Sequence, residues 1–110
     1  PSSVELSCVS GSGRPQPYAQ LVLAEDLRGQ VNESDLRERI SAEFTDLLSD
    51  VNGRVEHHER LEFIVVSTEE WSIANGMLTP TMKIRRGAIE DATEAKVDGW
   101  YDAKQKVVWA

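Results

Sequence analysis

The chain holds one tight cluster of cations, Lys83-Ile84-Arg85-Arg86. The cluster lies where a polar, proline-containing stretch gives way to a helical pattern. A helix N-terminus carries roughly +0.5 of an elementary charge, so each cation there is disfavoured by about 0.3–1 kcal/mol. Three cations at such a place suit a visiting anion, a phosphate or a carboxylate. The alternative is a helix that begins further on, with the three residues forming an ordinary solvated face.

Other chemistry-bearing residues are weaker candidates. His57 and His58 are neighbours in sequence, and neighbouring side chains diverge on a helix or a strand. They are expected to be surface residues of a polar connector, and no metal site is expected. Gly11-Ser12-Gly13 resembles part of a phosphate loop but lacks the lysine and the following helix, so a hairpin turn is expected. Cys8 alternates with apolar residues and is expected to be a buried thiol. Asp98 and Asp102 share a helix face as solvated acids, and Trp100 and Tyr101 are expected to pack in the core.

The elements that must position these residues follow from hydrophobic spacing. Val4, Leu6 and Cys8 alternate with Glu5 and Ser7, the period of a half-buried strand. The tract Gly11 to Pro17 is a turn, and Tyr18 to Leu23 reads as a second strand paired with the first. Glu25 to Val31 reads as polar connection. Asn32 is placed to cap a helix, with Asp35 three residues on. Its buried stripe is Leu36, Ile40, Phe44, Leu47, Leu48 and Val51, and Asn52-Gly53 stops it.

Leu61 to Ser67 contains the most apolar strand, predicted to be central because Phe63 to Val66 leaves no polar face. Asn75-Gly76 marks a bend after Trp71, and Pro80 ends that segment. A second helix is predicted from Arg85 to Tyr101, burying Ile89, Ala92, Val97, Trp100 and Tyr101. Val107-Val108-Trp109 closes the chain as a short strand. The fold class is therefore α+β, a small mixed sheet with an N-terminal hairpin packed by two main helices.

Length and charge narrow the function. The 110 residues suffice for one domain. The net charge is −7, which argues against a general nucleic-acid or anionic-membrane binder. A single cysteine excludes an intrachain disulfide and suits a reducing, cytoplasmic setting. No apolar run approaches the ~20 residues of a membrane span, although peripheral attachment of a parent enzyme is compatible with this. The chain opens at Pro1 with no methionine, as expected of a piece of a longer protein.

Three segments together resemble the C-terminal domain of AMP-forming acyl-CoA synthetases of the long-chain fatty acid ligase type. They are Val4 to Ala19, His58 to Leu61 leading into Phe63-Ile64-Val65-Val66, and Trp71 to Arg86. The tract from Leu78 to Arg86 is the specific one and is similar to the family's lysine motif. The wider superfamily has a glycine before that lysine, where this chain has Met82.

The resemblance implies that Lys83 is the catalytic lysine of acyl-adenylate formation from a fatty acid and ATP. It implies that the domain then turns to complete the site where CoA takes the acyl group. ATP and Mg2+ would be held mainly by an N-terminal AMP-binding domain of the same polypeptide, and the isolated 110 residues would not catalyse. Arg85, Arg86 and Thr81 are candidates for anion-side or interdomain contacts. Two alternatives stand beside this reading. One is a free-standing binding or regulatory module that kept the fold, and the other is a sister enzyme acting on an aryl or short acid.

Overall fold

Strand β2 (Tyr18–Leu23) is buried along its whole length, and the molecule is built around it. The computed structural model describes residues 3–11, 16–28, 33–56, 60–67 and 70–109. Strand β1 (Val4–Ser10) pairs with β2 antiparallel, and β3 (Ile64–Ser67) joins the other side of β2 in parallel. Strand β4 (Val107–Trp109) adds in parallel to β3, giving the order β1-β2-β3-β4. β3 is thus interior, as its unbroken apolar run predicts. The strand is shorter than Leu61 to Ser67. Phe63 is buried just before it, and Leu61 is held by Asn52, whose side chain accepts from Leu61 N at 2.8 Å and donates to Leu61 O at 3.0 Å.

Alternation along the strands splits the apolar residues between two faces. Ala19, Leu21, Leu23, Ile64 and Val66 point to one side and meet Leu36, Ile40, Phe44 and Leu48 of helix α2 (Ser34–Asn52). The predicted stripe holds at Leu36, Ile40, Phe44 and Leu48, while Leu47 and Val51 are only partly buried. The start of the helix differs from expectation. Its N-cap is Glu33, whose side chain makes no capping bond among the described residues, and Asn32 lies outside them. A short helix α1 (Glu25–Arg28) occupies part of what reads in sequence as connection.

On the opposite face lie Cys8, Tyr18, Val22, Phe63, Val65 and Val108. They pack against Ile89 and Trp100 of helix α3 (Arg86–Asp102) and against Trp71 and Leu78 before it. Cys8 is buried, as expected. Ala92 is exposed, contrary to expectation, because the sheet-facing line of α3 runs through Ile89, Thr93, Val97 and Trp100, one position away from it. Thr93 lies 3.5 Å from Gln20 on β2, and Val97 and Tyr101 are only partly buried. Tyr18 stacks on Phe63 with ring centroids 5.1 Å apart and meets Trp100 and Tyr101 edge-on. Burial first, and then the charge of Glu90, hold the Tyr18 phenol above its usual value of 10.0; the hydroxyls of Thr93 and Ser10 act in the other direction.

A register shift between Val4 and Leu6 places two steps of β1 against one of β2. Val4 therefore packs with the α2 layer while Leu6, two residues on, packs with the α3 layer. The two parallel connections, β2 to β3 and β3 to β4, step in the same direction across the sheet. Their helices cover opposite faces, so the two crossovers have opposite hands, and one departs from the right-handed norm. No helix among the described residues is long and apolar enough to cross a membrane.

Candidate functional site

The segment from Glu70 to Arg85 carries the predicted lysine and lies inside the connection between β3 and α3. Its first half is a turn held by Asn75. The Asn75 Oδ1 accepts from the amides of Ser72 at 3.0 Å and Met77 at 3.1 Å, and Nδ2 donates to the Glu70 carbonyl at 2.9 Å. The Asn75 amide donates to Ser72 Oγ at 3.2 Å. Gly76 follows with φ +80°, a left-handed conformation that glycine adopts at no steric cost. The bend predicted at Asn75-Gly76 is present. Its tips are joined by loop hydrogen bonds, not by a two-stranded ladder.

The second half doubles back on itself. Leu78 and Ile84 form an isolated antiparallel bridge, and the Thr79 amide donates to the Lys83 carbonyl at 2.8 Å. The Lys83 amide donates in turn to Thr79 Oγ1 at 3.1 Å. Met82 N donates to the Thr79 carbonyl at 2.8 Å, so residues 79–82 close a tight turn. Met82 sits in that turn at φ +66° with 61% of its surface exposed. A left-handed φ is uncommon for a residue with a side chain.

Lys83 leaves this turn into solvent. Its ammonium makes no hydrogen bond or ion pair with any described residue. The other two cations of the cluster are engaged. The Arg85 guanidinium donates to the Gly76 carbonyl at 3.2 Å, and its backbone amide donates to the Met77 carbonyl at 2.8 Å. The Arg86 Nε donates to the Val9 carbonyl on β1 at 2.9 Å. Each arginine thus reaches a different element, and the three cations do not form one cradle. Arg85 is the N-cap of α3, so Lys83 precedes the helix and its positive end is not where the lysine stands. Thr81, also exposed, shares a hydrogen bond with Thr79 between hydroxyls 3.1 Å apart.

Thr79 and Asn75 are the residues that sequence reasoning passed over as parts of the site. Both bear short polar side chains within a turn, a type that bonds to nearby backbone. Their targets are fixed only by the fold. Arg28 is another. Its largely buried side chain bonds Glu5 at 2.6 Å, the Leu23 carbonyl at 2.9 Å and Glu70 at 3.4 Å, tying the hairpin and α1 to the start of the lysine segment.

A cleft of about 250 Å³ lies between α3 and the 70–77 turn, lined by Gln20, Ser67, Trp71, Met77, Thr93 and Lys96 among others. Lys83 is not part of its lining. The described residues contain no group of three His, Cys, Asp or Glu side chains able to hold a metal ion. His57, His58, Ser12 and Gly13 lie outside the described residues. Gly11 lies inside them, at φ +109° beside Pro17 and Tyr101.

No protein-family model matches the chain, and no curated protein matches it. Solved structures do. One is the A-PCP didomain of carboxylic acid reductase from Segniliparus rugosus in complex with AMP, at TM-score 0.66 and 15% identity. The likeness covers 93% of this chain and 14% of that one. Another is the adenylation domain of a carboxylate reductase from Mycobacterium chelonae, at TM-score 0.66 and 18% identity, covering 91% of this chain and 16% of that one. The chain therefore has a fold that recurs as a small part of adenylation domains in larger enzymes.

Proposed function

We propose that the chain is the lysine-bearing domain of an adenylate-forming enzyme, a long-chain fatty acid–CoA ligase. It works beside an N-terminal AMP-binding domain of the same polypeptide. The observation that carries this reading is Lys83 itself. It is an unengaged ammonium on a turn pinned by backbone bonds, in a fold shared with adenylation domains.

In the reaction the carboxylate oxygen attacks the α-phosphorus of ATP, the acyl–AMP bond forms and pyrophosphate leaves. Two anions must approach each other, and charge builds on the phosphoryl oxygens. A lysine answers both needs, because its compact charge on a flexible stem reaches into a cleft owned by another domain. No proton moves at Lys83. Its work is electrostatic stabilisation and positioning, and removing one such group typically costs ~10²–10³-fold in rate. ATP, Mg2+ and the acyl chain are held by the partner domain in this scheme. Domain rotation then withdraws the lysine and brings CoA to the acyl-adenylate.

The test is Lys83→Ala in the full polypeptide. ATP–pyrophosphate exchange is expected to fall ~10²–10³-fold, while thioester formation from supplied acyl-adenylate persists. The 110 residues alone are expected to show no exchange. Equal loss of both half-reactions in the variant would overturn the assignment.

A second reading follows from one solved neighbour, in which an adenylation domain is joined to a PCP domain: the acyl group would pass to such a domain in place of CoA. Supplying each acceptor separately to the same acyl-adenylate distinguishes the two.

A further inference from the structure

We propose that Asn75 is the positioning residue of the lysine turn, the side chain that sets the frame from which Lys83 projects. The proposal takes its catalytic meaning from the reading of Lys83 above. Its structural part stands on bonds of this chain alone.

Asn75 is exposed, so apolar burial does not explain its place. The side-chain amide bonds backbone at three places, Glu70, Ser72 and Met77. Only a short side chain with an acceptor oxygen and a donor nitrogen at one end can do this. Aspartate keeps the acceptor and loses the donor, and alanine loses both.

The bonds matter beyond the turn because of what Met77 does next. The Met77 amide is shared between Asn75 Oδ1 at 3.1 Å and the Ser72 carbonyl at 3.2 Å, and the Met77 carbonyl faces the Arg85 amide at 2.8 Å. That contact holds the returning arm one residue beyond the Leu78–Ile84 bridge, and Lys83 lies within the loop so closed. The Glu70 end is held as well, since Arg28 bonds the Glu70 carboxylate at 3.4 Å. The frame therefore runs from a largely buried arginine through Glu70 and Asn75 to the arm that bears the lysine.

Amide hydrogen exchange by NMR on the 110-residue chain tests this directly, comparing wild type with Asn75→Ala and Asn75→Asp. In Asn75→Ala the amides of Ser72 and Met77 should exchange roughly tenfold faster, and those of Lys83 and Arg85 should follow. Leu21 and Val65, in the sheet, should keep their protection. Asn75→Asp should retain most of the protection at Ser72 and Met77. Wild-type exchange at Lys83 and Arg85 in Asn75→Ala would overturn the proposal. So would loss of protection at Leu21 and Val65, which would make Asn75 a residue of general stability.

In the full polypeptide, Asn75→Ala should lower kcat for adenylate formation with KM for ATP unchanged, and Asn75→Asp should recover part of it. An unchanged kcat would remove the catalytic part of the proposal. If Lys83→Ala left adenylation intact, the reading of Lys83 would fail while the exchange data still decided the role of Asn75.

Discussion

The Nε of Arg86 donates to the carbonyl of Val9 at 2.9 Å, joining the first turn of α3 to β1 across 77 positions of the chain. A cation that its sequence neighbourhood offers to a ligand is thereby committed to the protein's own backbone. Arg86→Met keeps the aliphatic stem and removes the donor. It is expected to lower stability by about 1 kcal/mol, the usual net value of an intramolecular hydrogen bond. Urea unfolding reads this as a lower midpoint at unchanged slope. An unaltered midpoint would show the bond to be of no consequence.

Met82 precedes the lysine in a left-handed conformation that costs a side chain about 1–2 kcal/mol. Its exposure means little apolar burial is lost on truncation. Met82→Gly relieves the strain at an unfolded-state entropy cost of roughly 0.5–1 kcal/mol. The net expectation is a gain of up to about 1 kcal/mol. Met82→Val, branched at Cβ, is expected to destabilise by ~1–2 kcal/mol. The pair of variants, compared by thermal unfolding, should move in opposite directions.

Two glycines make a matched comparison. A Cβ at Gly11 would lie 2.9 Å from Pro17 Cα and 3.1 Å from the Tyr101 hydroxyl, at φ +109°. Gly11→Ala is expected to cost at least ~2 kcal/mol. Gly99, inside α3, has open space around its absent Cβ. Gly99→Ala should stabilise by roughly 0.5–1 kcal/mol. Chemical denaturation of both variants checks the sign as well as the size.

Tyr18 sets an alkaline limit. Its folded pKa is raised, so the folded state holds the phenol proton to higher pH than the unfolded chain does. Stability from this source is intact below the ordinary value of 10.0 and is lost as pH rises through the folded pKa. Tyr18→Phe should lower the neutral-pH midpoint little and flatten the decline above that value. An equally steep alkaline decline in the variant would assign it to other groups.

The α2 stripe and the buried β3 were legible in sequence because both obey simple periods. Phe44 and Leu48 repeat at helical spacing, and Ile64 to Val66 form an uninterrupted apolar run. The bulge between Val4 and Leu6 was not legible. The alternation of Val4, Leu6 and Cys8 reads as one face, and only pairing with β2 sends Val4 to the other. Ala92 falls on the expected stripe of α3 and is exposed, because the line that meets the sheet passes through Thr93 and Val97 beside it. In the candidate site, the cluster Lys83 to Arg86 stood out by charge and Lys83 within it by the resemblance of its tract, while Asn75-Gly76 was legible as a bend and not as part of the site. The engagement of Arg85 and Arg86 was hidden, since their acceptors are carbonyls on other elements that no local pattern announces.

The two faces of the sheet differ in what they carry. The lysine turn, the arginines that brace it and the cleft beside it all belong to the α3 side, or to the loop leading into it. Helix α2 buries one stripe and turns Glu38, Ala42 and Asp46 outward on the far side. That outer surface is a handle. A fluorophore or spin label attached at Ala42 would ride on the domain without touching the turn that bears Lys83, and would test in the full polypeptide whether the domain moves as the proposed function requires.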